Sequence, residues 1–410
     1  MSTTLVRALL LPLAVLAPVA TARAAQPTFD DDVAFLRQRR DVVVLGDESG
    51  PRIAVVPAWQ GRVATSTVGG PEAPSYGWIN RELAASGELL AHMNAFGGED
   101  RLWLGPEGGQ YSIFFKKGDP FDLDHWQTPA LVDSEPWSVA ERGPRTLAFR
   151  RESQLVNYSG TRFDFRLERT VRLLEREAAS KALGAGLGAG LKLVAFESEN
   201  ALVNTGKAAW TKQGGLLSLW ILGMFQPTPK TTVVIPFRDG PESELGPIAN
   251  DAYFGRVPAD RLRAKQGLLF FKADGEHRSK IGLSPRRATG LAASYDSARG
   301  VLTFVRYDQP AGAADYVNSM WEIQREPFKG DVVNSYNDGA PGPGKKPLGP
   351  FYELETSSPA AALAAGASLK HVHRTFHVQG ERTELDALAR RLLGVSLEAI
   401  EAALAVSGAR

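Results

Sequence analysis

The chain has 410 residues, no cysteine, and 47 basic against 46 acidic side chains, a net charge of +1. Near-neutral charge without basic runs argues against nucleic acid or an anionic membrane as a partner. The missing cysteine excludes a disulfide framework and a lipid anchor on a cysteine.

The first residues read as an export signal. Arg7 supplies a positive start, Ala8–Ala20 is an apolar stretch too short to span a bilayer, and Ala22-Arg23-Ala24 has the small-x-small form of a cleavage site. Residues 1–24 are therefore expected to be removed, leaving a periplasmic or secreted chain that begins near Ala25 and is not inserted in a membrane. Without Arg7 and Arg23 the count becomes 45 basic (47 less 2) against 46 acidic, a net charge of −1.

FDDDVAFLRQRR (29–40) predicts a short helix, with acids in its first turn and bases in its last. From there short apolar or alternating runs dominate, broken by turn residues: DVVVL (41–45), RIAVVPAW (52–59), YSIFF (111–115), RTLAFRR (145–151), RFDFRLERTVRLL (162–174), TVVIPF (232–237), GLLFFKA (267–273) and VLTFVRY (301–307). LGAGLGAGL (183–191) mimics a dinucleotide fingerprint, but it sits between two β-like runs with no acidic residue suitably placed on a following strand, and is read as a flexible Gly/Ala hairpin loop. Helical periodicity returns only in TELDALARRLLGVSLEAIEAAL (383–404), which suggests two short helices. No β–α–β alternation occurs, so a doubly wound fold is excluded. The expectation is an all-β protein, a large two-sheet antiparallel β-sandwich over 25–380, with short terminal helices and a helical extension over 381–410.

The densest chemistry lies near the C-terminus. In FYELET (351–356) the alternation of a strand puts Glu353 and Glu355 on one face. HVHRTFHV (371–378) carries three of the six histidines, with His371, His373 and His377 on one face. If the two strands share a sheet, glutamates and imidazoles line a single surface, which is the equipment for general acid–base chemistry. The same residue types also suit a divalent metal, with His371, His373 and Glu353 as candidate ligands, or simply a polar, solvated sheet face. A second dense stretch, HMNAFGGEDRLWLGPEGGQYSIFF (92–115), places His92, Asn94, Glu99, Arg101 and Glu107 among five glycines, groups suited to holding hydroxyls. Trp126 is a candidate stacking platform for a sugar ring, and Asn337 belongs to the polar loop NSYNDG (334–339).

Leu354-Glu355-Thr356, the Pro359-Ala360 turn, LAAGASL (363–369) and the strand from Lys370 together resemble the galactose mutarotase-like (aldose 1-epimerase-like) superfamily, as a secreted bacterial branch of it. The resemblance implies that Glu355 is the catalytic base, that Asn94 and Arg101 match the early substrate-binding Asn and Arg, and that KLVAFESENALVNTGKAAW (192–210) matches the central strands. It also implies a carbohydrate partner and epimerase-like chemistry. The chain departs from the pattern where the superfamily carries its acid histidine, since GGLLSLWILGMF (214–225) has none. The expectation is thus a carbohydrate-active protein using Glu355, His371 and His373, with His92, Asn94, Glu99, Arg101, Glu107, Trp126, Asn337 and Glu353 binding substrate. Non-catalytic glycan binding and a metal-dependent lyase or hydrolase are the alternatives.

Overall fold

The computed structural model describes residues 27–70 and 73–405, so the expected leader lies outside the described residues. Among the described residues, eighteen strands form three antiparallel sheets of ten, five and three strands. At the centre of the ten-stranded sheet, Lys192–Asn204 and Ser368–Gln379 pair in unbroken register from Lys192↔Gln379 to Val203↔Ser368. The five-stranded sheet is ordered Ser279–Leu283, Val333–Asn337, Tyr352–Ser357, Ser218–Phe225, Arg101–Gly105. A meander over residues 43–67 continues it through an isolated bridge between Val63 and Asp100.

Alternation decides which side of each strand meets the other sheet. Along Arg162–Leu173, Phe163, Phe165, Leu167 and Val171 are fully buried and cluster with Leu102, Leu104, Leu219 and Ile221 of the smaller sheet. Burying each phenylalanine contributes roughly 1.5–3 kcal/mol. The opposite side of the same strand stays wet and carries close charge pairs, Arg162 with Asp164 and Arg166 with Glu168.

Both C-terminal helices form, Arg382–Leu393 and Leu397–Ala402. Their apolar residues Leu385, Leu388, Leu393 and Ile400 share one buried cluster with Phe304, Phe376 and Val378 on the outer side of the large sheet. The extension therefore caps the sheet as part of the same body. The helix expected near residue 29 spans Phe29–Arg37 and is closed by a capping box between Thr28 and Asp31.

Three local expectations fail. YSIFF (111–115) contains no strand, because Ile113, Phe114 and Phe115 pack inside a loop. The glycine-rich segment follows a helix, Arg176–Leu183, instead of a strand. NSYNDG is mostly not loop: Val333–Asn337 is a fully buried strand.

Candidate functional site

The side of the five-stranded sheet that faces away from the ten-stranded one carries a cluster of buried charge, Arg101, Lys280, Glu353 and Glu355. In Tyr352–Ser357, the Tyr352 hydroxyl meets Ser294 of the large sheet and Thr356 meets His371 and His373. Alternation then sends Glu353 and Glu355 outward. Cross-strand pairing lines them up with Tyr336 and Asn334 on one side, and with Met224 and Leu222 on the other. Arg101 lies opposite Leu222, and Trp103 opposite Trp220.

Two ion pairs organise this face. Arg101 donates to Glu353 at 2.9 Å and lies over the Trp103 ring at 4.3 Å. Lys280 Nζ donates to Glu355 Oε2 at 2.8 Å, and the same oxygen accepts from Trp220 Nε1 at 3.0 Å. Glu355 is 0% exposed, and among the described residues its Oε1 has no partner. One carboxylate oxygen is thus anchored while the other is left open, at a position where burial without a hydrogen bond costs about 1–3 kcal/mol.

The environment shifts several neighbouring groups. Burial pushes the Glu107 carboxyl up to about 7, with Lys280 pulling it down and Glu355 pushing it further up. Burial likewise raises the Glu353 carboxyl against the pull of Arg101. Asp331 is raised by burial, and it accepts from two neutral donors, Tyr253 Oη at 2.7 Å and Asn250 Nδ2 at 3.2 Å. Burial works against the Lys280 ammonium, but the attraction of Glu355 and Glu107 leaves its pKa above the ordinary lysine value.

Lys280 went unnoticed in the sequence because SKIGL (279–283) carries no motif; only its edge position two strands from Glu355 reveals it. Gly282 on the same strand is required here. A Cβ at that position would meet Asp331 Oδ2 at 2.1 Å and Asn334 Nδ2 at 2.4 Å. Gly282→Ala is therefore expected to displace both groups and to destabilise the fold by about 1–3 kcal/mol. A melting curve without that loss would show that Asp331 relaxes freely.

The remaining candidates separate. His371 and His373 are buried between the sheets, where Nε2 of the first and Nδ1 of the second share the Thr356 hydroxyl at 2.9 and 2.8 Å. Burial depresses them to about 3 and about 4, so both are neutral at physiological pH. The single surface expected for glutamates and imidazoles does not exist: the small sheet lies between Glu353/Glu355 and the histidines. The expected metal ligands His371, His373 and Glu353 accordingly do not converge, and among the described residues no group of three or more His, Asp or Glu is placed to hold a metal.

Glu99 also lies in the interior, where its Oε2 accepts from Ser66 Oγ at 2.9 Å and contacts His377 Nε2 at 2.7 Å. Asn94 is spent on structure, its backbone N and Nδ2 donating to Asp133 and its Oδ1 accepting from Leu90 N. Asn337 faces the interior turns, donating to Asp274 and to the His277 carbonyl. His92 is exposed, with Nδ1 on the Trp126 carbonyl. Trp126 is sandwiched between Phe114, at 6.0 Å, and Trp321, at 5.8 Å.

That aromatic stack belongs to a roof over the face. Residues 316–330 sit on the Gly108-Gly109-Gln110 turn, where Gln110 and Gln324 exchange hydrogen bonds at 2.9 Å in both directions. Ser319 Oγ accepts from Glu107 N at 3.1 Å. A Cβ on Gly108 would meet the Met320 carbonyl at 2.4 Å, so only glycine allows this docking. Beneath the roof a cavity of about 10 Å³ remains beside Lys280, Trp220, Tyr253 and Asp331, roughly the room of one water. Larger open clefts exist, such as one of about 480 Å³ beside Trp78 and Asp274, but they lack this concentration of buried titratable groups.

Residues 27–404 match the model of DUF6786, a family of unknown function. The chain belongs to the DUF6786 family. No curated protein matches this DUF6786 chain in sequence. In fold it is similar to the Slr1438 protein of Synechocystis sp. PCC 6803, with a TM-score of 0.50 and 16% identity over 84% of this chain and 97% of that one. A suggested aldose 1-epimerase of Escherichia coli K12 gives a TM-score of 0.49 at 12% identity, covering 83% and 99%. A galactose mutarotase-like protein of Lactobacillus casei ATCC 334 gives 0.46 at 10% identity, covering 82% and 100%. The DUF6786 chain has the antiparallel β-sandwich that the sequence led one to expect, and at 16% identity the likeness to the Slr1438 protein is one of fold.

Proposed function

We propose that this DUF6786 protein is a carbohydrate-active enzyme of the periplasm or cell exterior, and that the roofed face of the five-stranded sheet is its site. The observation that carries the reading is the divided environment of Glu355. Its Oε2 is held by Lys280 and Trp220, and its buried Oε1 is open to accept a proton. In an epimerase-like reaction Oε1 takes the proton of the anomeric hydroxyl while an acid protonates the ring oxygen.

The acid in this reading is Glu107, in place of the histidines. It lies within electrostatic reach of both Glu355 and Lys280, and a carboxyl held near 7 is protonated for a large part of the time at neutral pH. Lys280 stays charged and offsets negative charge developing at Glu355 and the sugar. Arg101, anchored by Glu353, has Nε and Nη1 without partners among the described residues, which supports a role in donating to hydroxyls.

The test is anomer interconversion followed by NMR on a panel of free aldoses, with the release of reducing ends from oligosaccharides measured in parallel. Interconversion supports epimerisation, whereas reducing-end release would redirect the same acid and base to glycosidic cleavage. Saturable sugar binding without turnover would leave a glycan-binding protein.

A pH prediction follows from Glu107. The acid must carry its proton, so activity is present below about 7 and declines as pH rises through about 7 and the carboxyl ionises. Glu107→Gln is expected to lower turnover by about 10²-fold and to abolish that alkaline decline. An unchanged alkaline limb in the variant would assign the acid elsewhere. A hexose is far larger than the 10 Å³ cavity, so the 316–330 roof has to lift for substrate to reach the face.

A further inference from the structure

We infer, on the reading that this face holds a sugar, that its ligand is a sugar without negative charge, and that one bearing a protonated amine binds better than its neutral counterpart. The argument is a charge count along one face. Four carboxyl groups, Glu107, Asp331, Glu353 and Glu355, face two cations, Arg101 and Lys280. Both cations are committed, Arg101 to Glu353 at 2.9 Å and Lys280 to Glu355 at 2.8 Å. Two carboxyl groups remain over, and the groups bonded to Asp331 are neutral.

The margin of the face does not redress the balance. It adds one acid, Asp338, held by Tyr336 Oη at 2.9 Å, and one base, Arg278, placed over the Phe254 ring at 3.7 Å. Burial raises both Glu107 and Asp331, the response expected of acids lacking a counter-charge, so an ammonium brought beside them would displace their protons and pair with the carboxylates. A carboxylate or phosphate brought beneath the roof would find both cations already paired, in a site from which water is largely displaced.

Unpartnered buried groups on the same face point to the remainder of the ligand. Glu355 Oε1 is an acceptor for a hydroxyl proton, and Arg101 Nη1 and Trp103 Nε1 are donors to a hydroxyl oxygen. An acceptor and donors in one place match a polyol, and the surplus acids match an added ammonium.

The experiment measures binding to the wild-type protein at pH 7 by calorimetry. Glucose and galactose would be compared with the corresponding 2-amino sugars, uronic acids and 6-phosphates. The amino sugars are expected to bind about 10-fold more tightly than the neutral sugars, and the acidic sugars at least about 10-fold more weakly. Asp331→Asn, which keeps the shape and an acceptor for Tyr253, should narrow the spread between amino and acidic sugars several-fold. Uronic acids or sugar phosphates binding as tightly as neutral sugars would overturn the inference while leaving the sugar site standing. A spread unaltered in a folded Asp331→Asn protein would also overturn it, and failure of every sugar to bind would remove the sugar reading as well.

Discussion

Glu355→Gln is expected to lower turnover by about 10³-fold, within the 10²–10⁴ range typical of a general base. The amide cannot accept the proton at Oε1, and it leaves the Lys280 ammonium in a largely buried position without its carboxylate. The second effect has its own signature. Removing one member of a buried pair costs about 3–5 kcal/mol because the survivor is left uncompensated. A Glu355→Gln, Lys280→Met double variant should therefore regain much of the stability and none of the activity. Turnover that persists within about tenfold of wild type would rule out Glu355 as the base. Variants of His371 and His373 supply the contrast, since these imidazoles are neutral, sealed between the sheets and remote from the outer face. Their loss should be read in the melting temperature and leave the KM of any substrate unchanged.

Asp100→Asn is expected to destabilise the fold by about 3–5 kcal/mol. Asp100 and Arg169 are paired at 2.7 Å with both side chains 0% exposed. Arg169 also donates to Asn200 Oδ1 at 2.7 Å and to the Gly61 carbonyl at 3.2 Å. The cluster ties the start of the Arg101–Gly105 strand to the large sheet, so it sets the position of Arg101 on the other side of the same strand. Urea unfolding checks the magnitude, with Asp100→Leu, Arg169→Leu together expected to recover part of the loss. A cost below about 1 kcal/mol for the single change would mean that Asn200 and the backbone carbonyls suffice to hold the guanidinium.

Much of the architecture was legible in the chain. Strands such as Arg162–Leu173 turn Phe163, Phe165, Leu167, Val171 and Leu173 to one side and polar or charged residues to the other, with Arg169 the exception on the apolar side, a pattern that suits a half-exposed sheet. Amphipathic periodicity also located both C-terminal helices. YSIFF misled because its apolar run is that of a buried strand, yet its side chains fill a loop core, Phe114 against Trp126 and Phe115 against Trp321.

The site was legible only in part. Alternation correctly placed Glu353 with Glu355, and His371 with His373, because side-chain direction within one strand is a local property. Whether two strands present those faces to one space depends on which sheet each joins and which way that sheet faces. Tyr352–Ser357 joined the five-stranded sheet and Ser368–Gln379 the ten-stranded one, so the histidines went inside and the glutamates outside. The Lys280–Glu355 pair, the surplus acids Glu107 and Asp331, and the roof over them arise from contacts between residues far apart in the chain. Strand-level periodicity, capping and the residues that share a strand face are local matters, since they follow from neighbours a few positions away. Which faces meet is settled when the sheets assemble, because burial and charge pairing are properties of the space between strands.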